Sequence, residues 1–431
     1  MPGPIEPSSY SSAGVRAGTA ASVTAARQTK SASFRIGTSR RSSAGRAERV
    51  GLPGEEAGKT HSVTGGCPAS RLYRGARGWT KMPPPMTHRF LAACRRQPVD
   101  RLPVWMMRQA GRYQPSYRAV RQKVGFLELC RSPELIAQVT VAPIDEFGFD
   151  AAILFSDILV HLPAMGLDLS FEKGEKGKGD GGPKIANPVR TRADVDALKI
   201  PDPKKDLPYV LDGVRAIRTA LAGRVPLIGF VGGPFTVASY VVEGGSQGFS
   251  RLKTMLYADP KSAHALFEKL TRAAIVQIEE QIAAGAEAAQ IFESWLGELD
   301  RYDLEEFSFP YLARIADAVR KAGVPVIFFG TGMGGHLERI AGLGFDVVSV
   351  DWRMPIEDAR ARLPDVAVQG NLDSTVLLGP KDVAVERARR IMQAAGPKPG
   401  YIFNLGHGLQ PPTPIENVKA VVDAVHAFTW K

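Results

Sequence analysis

From residue 86 onward the sequence predicts an α/β fold, a single (β/α)8 TIM barrel, and three observations carry that prediction. Short apolar, β-rich runs alternate with longer amphipathic segments along the whole stretch. Eight such runs fit into the 346 residues from 86 to 431. The polar residues at the ends of these runs form a chemically coherent set. A doubly wound open sheet is the alternative, because periodicity does not separate a closed parallel sheet from an open one.

Residues 1–85 precede the alternation and differ from it in composition. They hold 13 Lys and Arg against 4 Asp and Glu, a net of +9, whereas residues 86–431 hold 42 against 40, a net of +2. The formal charge of +11 therefore sits mostly in the leader, and the balanced remainder gives no reason to expect a nucleic-acid partner. The leader is rich in Ser, Ala, Gly and Arg and has too few large apolar residues to offset the entropy of ordering. A disordered basic extension is expected there. Its Arg- and Ser-rich start is similar to an organelle transit peptide, against which stand Glu55, Glu56 and the lack of an amphipathic stripe. A start codon placed too early, with Met82 or Met86 as the true beginning, is a further reading.

The runs expected as strands are 103–106, 151–155, 226–231, 288–292, 325–329, 347–350, 366–369 and 401–404. Helix-length stretches with apolar residues at three- and four-residue spacing lie between most of them, such as PKSAHALFEKLTRAAIVQIEEQIAAG and FSFPYLARIADAVRKAG. Gly285 and Gly323 fall where C-terminal caps belong. The charged, glycine-rich stretch 171–184 lacks the strand-then-helix setting of a phosphate loop and reads as a solvated surface insertion. Residues 225–242 carry no charge, but Pro226, Gly229, Gly232, Gly233 and Pro234 interrupt them. A buried strand running into a glycine-rich loop is expected there, not a membrane span.

In a barrel the chemistry belongs at the C-terminal ends of the strands. Past the first runs come Arg108 and Arg112, then Ser156 and Asp157, then Gly232, Gly233, Pro234 and Phe235 with Tyr240 beyond, then Glu293 and Ser294. The second half adds Gly330, Thr331, Gly332, Asp351, Gly370, Asn371 and the Gly406-His407-Gly408 run. Gly111 and Pro115 disfavour a helix around the two arginines, so a loop is expected to turn both guanidinium groups into the mouth, where a planar fork suits carboxylate or phosphate. Surface salt bridges are the plain alternative. Asp157, directly after a buried run, is either a site carboxylate or a helix N-cap. His407 lies between two glycines that permit close approach of a ligand.

The three cysteines, Cys67, Cys94 and Cys130, show no CxxC spacing and imply neither a disulfide framework nor zinc. They point to a reducing compartment. No metal-ligand pattern, nucleophile elbow or dinucleotide fingerprint is present in the sequence, so no metal and no cofactor are expected. Fixed cations, one aspartate, hydroxyls from Tyr240 and Ser294 and one histidine suit a small polyanionic substrate.

The motifs PVWMMRQAGRY (103–113), ILFSDIL (153–159), IGFVGGPFTVASYVVEGG (228–245), FESW (292–295), DWR (351–353), GNLD (370–373) and FNLGHGL (403–409) resemble those of the uroporphyrinogen decarboxylase family. The resemblance runs from about residue 86 to the C-terminus. It implies a (β/α)8 barrel, a homodimer, no cofactor and no metal. It also implies decarboxylation of the four acetate side chains of uroporphyrinogen III to give coproporphyrinogen III. Arg108 and Arg112 would hold substrate carboxylates. Asp157 would stabilise the cation formed when a pyrrole carbon is protonated, so that the ring itself is the electron sink. Arg108, or a proton relayed from water, would supply that proton. Tyr240, Ser294 and His407 carry over as substrate contacts and Phe292 as an apolar wall. Related barrels include corrinoid-dependent methyltransferases that bind zinc through histidine and cysteines, but no cysteine occurs after Cys130 here. The expected location is the cytoplasm, with a plastid as the alternative if residues 1–85 are a transit peptide.

Overall fold

The computed structural model describes residues 88–171, 182–245 and 248–430. The expected disordered extension at 1–85, Cys67 and residues 172–181 of the charged insertion lie outside them. The strands are β1 (Ala152–Ile153), β2 (Leu169–Phe171), β3 (Pro183–Ile185), β4 (Leu227–Gly232), β5 (Ala288–Phe292), β6 (Val326–Phe329), β7 (Val347–Ser349), β8 (Ala367–Leu372) and β9 (Tyr401–Leu405). Seven of them form one curled sheet in the order β1-β4-β5-β6-β7-β8-β9. Every pairing in it is parallel, as successive strand–helix units require. The two ends of the charged insertion pair as the antiparallel β2 and β3, which the charge and glycine content of that stretch did not announce.

The expected strand 103–106 is reduced to a single parallel bridge between Val104 and Phe403. Its backbone groups nevertheless join the two sheet edges. The Phe403 N–H donates to Pro103 O at 3.0 Å, and the Asp150 N–H donates to Val104 O at 2.8 Å. A regular ladder fails because side chains take the other bonds. Pro103 has no N–H, the Val104 N–H goes to the Asp150 carboxylate at 2.9 Å, and the Met107 N–H goes to Asn404 Oδ1 at 3.0 Å. The same competition shortens the expected 151–155 strand, since the Phe155 N–H leaves the ladder for Thr140 Oγ1 at 3.2 Å.

Side chains also meet inside the curl. Gln369 on β8 donates to Gln290 on β5 at 3.3 Å, although β6 and β7 separate these strands in the sheet. Gln369 also donates to Ser349 Oγ at 3.1 Å and accepts from Trp105 Nε1 at 2.8 Å. A bond between non-neighbouring strands crosses the concave interior of the curled sheet, so the lumen holds a packed polar layer rather than a pore. Above it, toward the C-terminal strand ends, Phe230, Phe292 and Phe329 meet edge to face with centroids 5.4 and 5.8 Å apart.

Helices cover the outer face, and their starts are written in proline: Pro133, Pro208, Pro234 and Pro260 each occupy a first helical position, where a missing N–H costs nothing. The expected helices appear as Pro260–Ala284 and Phe309–Lys321. Gly285 (φ 125°) and Gly323 (φ 83°) come after them in the left-handed region. The uncharged stretch 225–242 is not a strand and loop. It is β4 passing through Gly233 into the helix Pro234–Glu243, because Pro234 starts a helix as readily as it breaks a strand. Among the described residues no helix is long and apolar enough to cross a membrane.

Candidate active site

The loop after Val104 carries Arg108 in a left-handed conformation, φ 57°, uncommon for a residue with a Cβ. Its neighbours hold it there. The Met107 N–H is bound by Asn404, Met107 O accepts from the Leu409 N–H at 3.0 Å, and Gln109 Nε2 donates to Ala151 O at 3.1 Å. The Arg108 side chain lies over Gly408, where a Cβ would stand 2.6 Å from its Cδ. No hydrogen bond or ion pair joins its guanidinium to any described residue, so its charge is open to a ligand.

Arg112 is exposed on the same turn, and no bond ties its guanidinium to the other groups. Arg118 serves the loop instead, donating to the carbonyls of Arg112 at 2.9 Å and Tyr113 at 2.7 Å. Pro115, which ends the loop, also opens the helix Pro115–Arg121.

Asp157 lies just past β1. Its Oδ1 accepts the Leu159 N–H at 2.8 Å, which caps a turn and not a helix, since the next helix, Leu162–Met165, has His161 at its N-cap. The second carboxylate oxygen has no hydrogen bond among the described residues. Burial pushes the Asp157 carboxyl above its ordinary range, against the opposing pull of the Leu159 N–H and the Arg108 charge. The Asp157 charge in turn, after burial, raises the Tyr240 phenol, which Arg108 opposes. Asp157, Arg108 and Tyr240 thus lie close enough to act on one another's charge, and Tyr240 keeps its proton at neutral pH.

Tyr240 reaches the site from the helix Pro234–Glu243, and Glu293 fastens that helix to β5. The Glu293 carboxylate accepts the Phe235 N–H at 2.8 Å and the Thr236 N–H at 2.7 Å. It fits because Gly233 has no Cβ, which would stand 2.4 Å from Glu293 Cδ. Burial pushes this carboxyl up to about 7 despite the two donors. Its neighbours Phe292 and Ser294 are half-buried at the mouth. Ser294 O accepts the Thr331 hydroxyl at 2.7 Å, while its own hydroxyl has no hydrogen bond among the described residues.

His407 stands edge to face with Phe329 at 6.0 Å, continuing the wall formed by Phe292. Burial, then the charges of Arg108 and Arg353, holds its imidazole below the ordinary histidine range, so it is neutral at pH 7. The structure therefore brings together Arg108, Asp157, Tyr240, Phe292 and His407, with Ser294 beside Phe292, and leaves Arg112 at the rim. Sequence reasoning gave no task to Asn404, Glu293 or Arg353. Each lies within a quoted motif, but their roles depend on the residues they meet across the barrel. No three His, Cys, Asp or Glu among the described residues are placed to hold a metal ion. Cys94 and Cys130 are free and buried, and burial raises both thiols.

A sequence model described as uroporphyrinogen decarboxylase (URO-D) matches residues 86–428. A uroporphyrinogen decarboxylase of Anaeromyxobacter dehalogenans is 86% identical over 346 residues, covering 80% of this chain and all of the relative. Proteins of the same name from Geobacter sp. strain M21 and Myxococcus xanthus are 49% and 48% identical, covering 80% and 79% of this chain and 100% and 96% of their own. Among solved structures, a methyltransferase from Methanosarcina mazei superposes with a TM-score of 0.65 at 24% identity, over 78% of this chain and 97% of its own, a likeness of fold alone. On the matched segment and these identities, the chain belongs to the uroporphyrinogen decarboxylase family.

Proposed function

We propose that this carboxy-lyase removes carbon dioxide from the four acetate side chains of uroporphyrinogen III, giving coproporphyrinogen III, with the mouth around Arg108 and Asp157 as its active site. The observation that carries this reading is the pairing of two uncommitted groups, a guanidinium with no bond to any described residue and a half-buried carboxylate with one oxygen free of described partners, beside an aromatic wall. Arg108 and, at the rim, Arg112 take substrate carboxylates. Phe292 packs on the macrocycle, and Tyr240, Ser294 and neutral His407 supply hydrogen bonds.

Loss of carbon dioxide from an acetate requires a place for the electron pair left on its methylene carbon. Protonation of the adjoining pyrrole carbon makes the ring a cation that accepts the pair. The resulting neutral exocyclic methylene takes a second proton to become a methyl group, and loss of the first proton from the ring carbon returns the pyrrole to neutrality, a net uptake of one proton per carbon dioxide released. Asp157 accepts pyrrole N–H bonds and stabilises the cation more than the neutral ring, which lowers the barrier. A proton relayed from water is the simpler donor, because a guanidinium is a very weak acid. Arg108 then orients the reacting acetate. The family further implies a homodimer in the cytoplasm, and the balanced charge of residues 86–431 gives no reason to expect a nucleic-acid partner.

The test is anaerobic turnover of uroporphyrinogen III by wild type and Asp157→Asn, with hepta- to tetracarboxylate products separated by chromatography. A fall in kcat of roughly 10²-fold or more is expected for the variant, the scale seen when one preorganised electrostatic contact is removed. In wild type kcat should fall on the acid side at a pH above the ordinary carboxylate range, because the raised carboxyl takes its proton early as pH drops. That limb should vanish in the variant. A folded variant with wild-type kcat would remove Asp157 from the mechanism.

A further inference from the structure

The chemistry proposed for the mouth leaves Arg353, in the loop after β7, without a task. Its Nη1 donates to Asp351 Oδ2 at 2.6 Å, and its own N–H donates to Asp351 Oδ1 at 3.0 Å. Asp351 is buried and also accepts the Gly332 N–H at 2.6 Å, so its carboxylate anchors the loops after β6 and β7 to each other. The guanidinium carbon lies 4.3 Å from the centroid of the Trp352 ring, while 57% of the Arg353 side chain remains exposed. Nη2 and Nε form no hydrogen bond with any described residue. Stacking and one salt bridge thus preset the side chain and leave part of its donor fork unused, an arrangement suited to two-point capture of a carboxylate.

The fork is placed relative to the site by the Gly406-His407-Gly408 run. A Cβ on Gly406 would stand 2.6 Å from Trp352 N, and one on Gly408 would stand 2.6 Å from Arg108 Cδ. The two glycines seat the Arg353 loop on one side of His407 and the Arg108 side chain on the other. We propose that Arg353 is a further substrate-binding residue, which takes a carboxylate of the tetrapyrrole across His407 from the one held by Arg108. This rests on the decarboxylase reading and adds to it a second fixed cation that sets how the macrocycle lies in the mouth. Asp351 is the positioning residue for that cation. A role confined to holding the loop is disfavoured, because the backbone N–H groups of Gly332 and Arg353 already bind Asp351 without the guanidinium.

Arg353→Gln, Arg353→Lys and Trp352→Leu are compared with wild type in two assays. One is steady-state turnover of uroporphyrinogen III; the other is equilibrium binding of uroporphyrin, the oxidised macrocycle that keeps the carboxylates and does not react. Arg353→Gln is expected to raise KM and the uroporphyrin Kd about tenfold or more, with kcat changed less than about threefold. Arg353→Lys should recover part of the loss, and Trp352→Leu, which keeps the charge and removes the stack, should fall between. Wild-type KM and Kd in a folded Arg353→Gln would overturn the proposal, as would a loss confined to kcat. If Arg353→Gln does not fold, Trp352→Leu and Arg353→Lys decide, and unchanged KM and Kd in both would overturn it. Failure of wild type to turn over, while uroporphyrin still binds, would sink the decarboxylase reading and leave Arg353 judged on Kd.

Discussion

At the scale of single residues, the mouth is held by small side chains as much as by charged ones. Gly408 lets Arg108 lie flat on the loop, and a Cβ there would meet Cδ at 2.6 Å and Cγ at 2.8 Å. Gly408→Ala should therefore displace the guanidinium and cost roughly 10- to 100-fold in kcat/KM, the range for a misplacement of about 1 Å. Gly342→Ala, where nothing lies within 4 Å of the added methyl, is the control. Steady-state kinetics beside a thermal melt checks this, and full activity in Gly408→Ala would mean that Arg108 does not need its seat. Arg108, Asp157 and His407 were legible in the sequence because each comes directly after an apolar run. Arg353 and Asn404 were not, because their tasks come from residues such as Trp352 and Met107 that the fold sets against them.

At the scale of elements, the weak place is the seam between β9 and β1, where side chains stand in for a strand. Asp150 accepts the Val104 N–H there and binds Arg89 at 2.7 Å, Arg101 at 3.0 Å and His426 at 3.3 Å. Burial opposes its charge, but the bonds from His426, Val104, Arg101 and Arg89 outweigh burial and hold the carboxyl below its ordinary value. A carboxyl depressed on folding contributes stability that is complete above the unfolded value of about 3.9 and is lost as pH falls through the folded one. Asp150→Asn should destabilise the barrel by roughly 3 kcal/mol at neutral pH, toward the low end for a broken buried pair because both arginines reach solvent. Urea titrations at pH 7 and pH 3 check this: the gap between wild type and variant should narrow at the lower pH. A gap that is unchanged, or absent at both, would show that the seam does not rely on this charge. The run 103–106 shows why sequence overstated the element, since its apolar pattern is that of a strand while its hydrogen bonds go to Asp150 and Asn404.

At the scale of the whole molecule, charge is distributed so that the catalytic segment is nearly neutral, +2 over residues 86–431, while cations gather at one mouth. Attraction of a polycarboxylate must then come from the local field of Arg108, Arg112 and Arg353 rather than from net charge. Raising ionic strength from about 0.05 to 0.5 M should lower kcat/KM severalfold, as the screening length shrinks from over 10 Å to a few Å. The same dependence is expected of a fragment beginning at Met86. A salt dependence that disappears with residues 1–85 would assign the attraction to the leader instead.

The sequence by itself determined the class of fold, the seven strands of the main sheet to within a few residues, and the family. It could do so because strand runs, proline helix starts and motif residues are local signals, readable without knowing which residues lie opposite. Tertiary structure decided the relations that depend on approach across the barrel: the bond from β8 to β5 across the interior, the side chains that replace a strand at the seam, and the glycines that bring Arg108 and the Arg353 loop to either side of His407. Those relations join residues hundreds of positions apart, 297 in the case of Met107 and Asn404. No periodicity in a single chain records which of its distant polar groups will share one hydrogen bond.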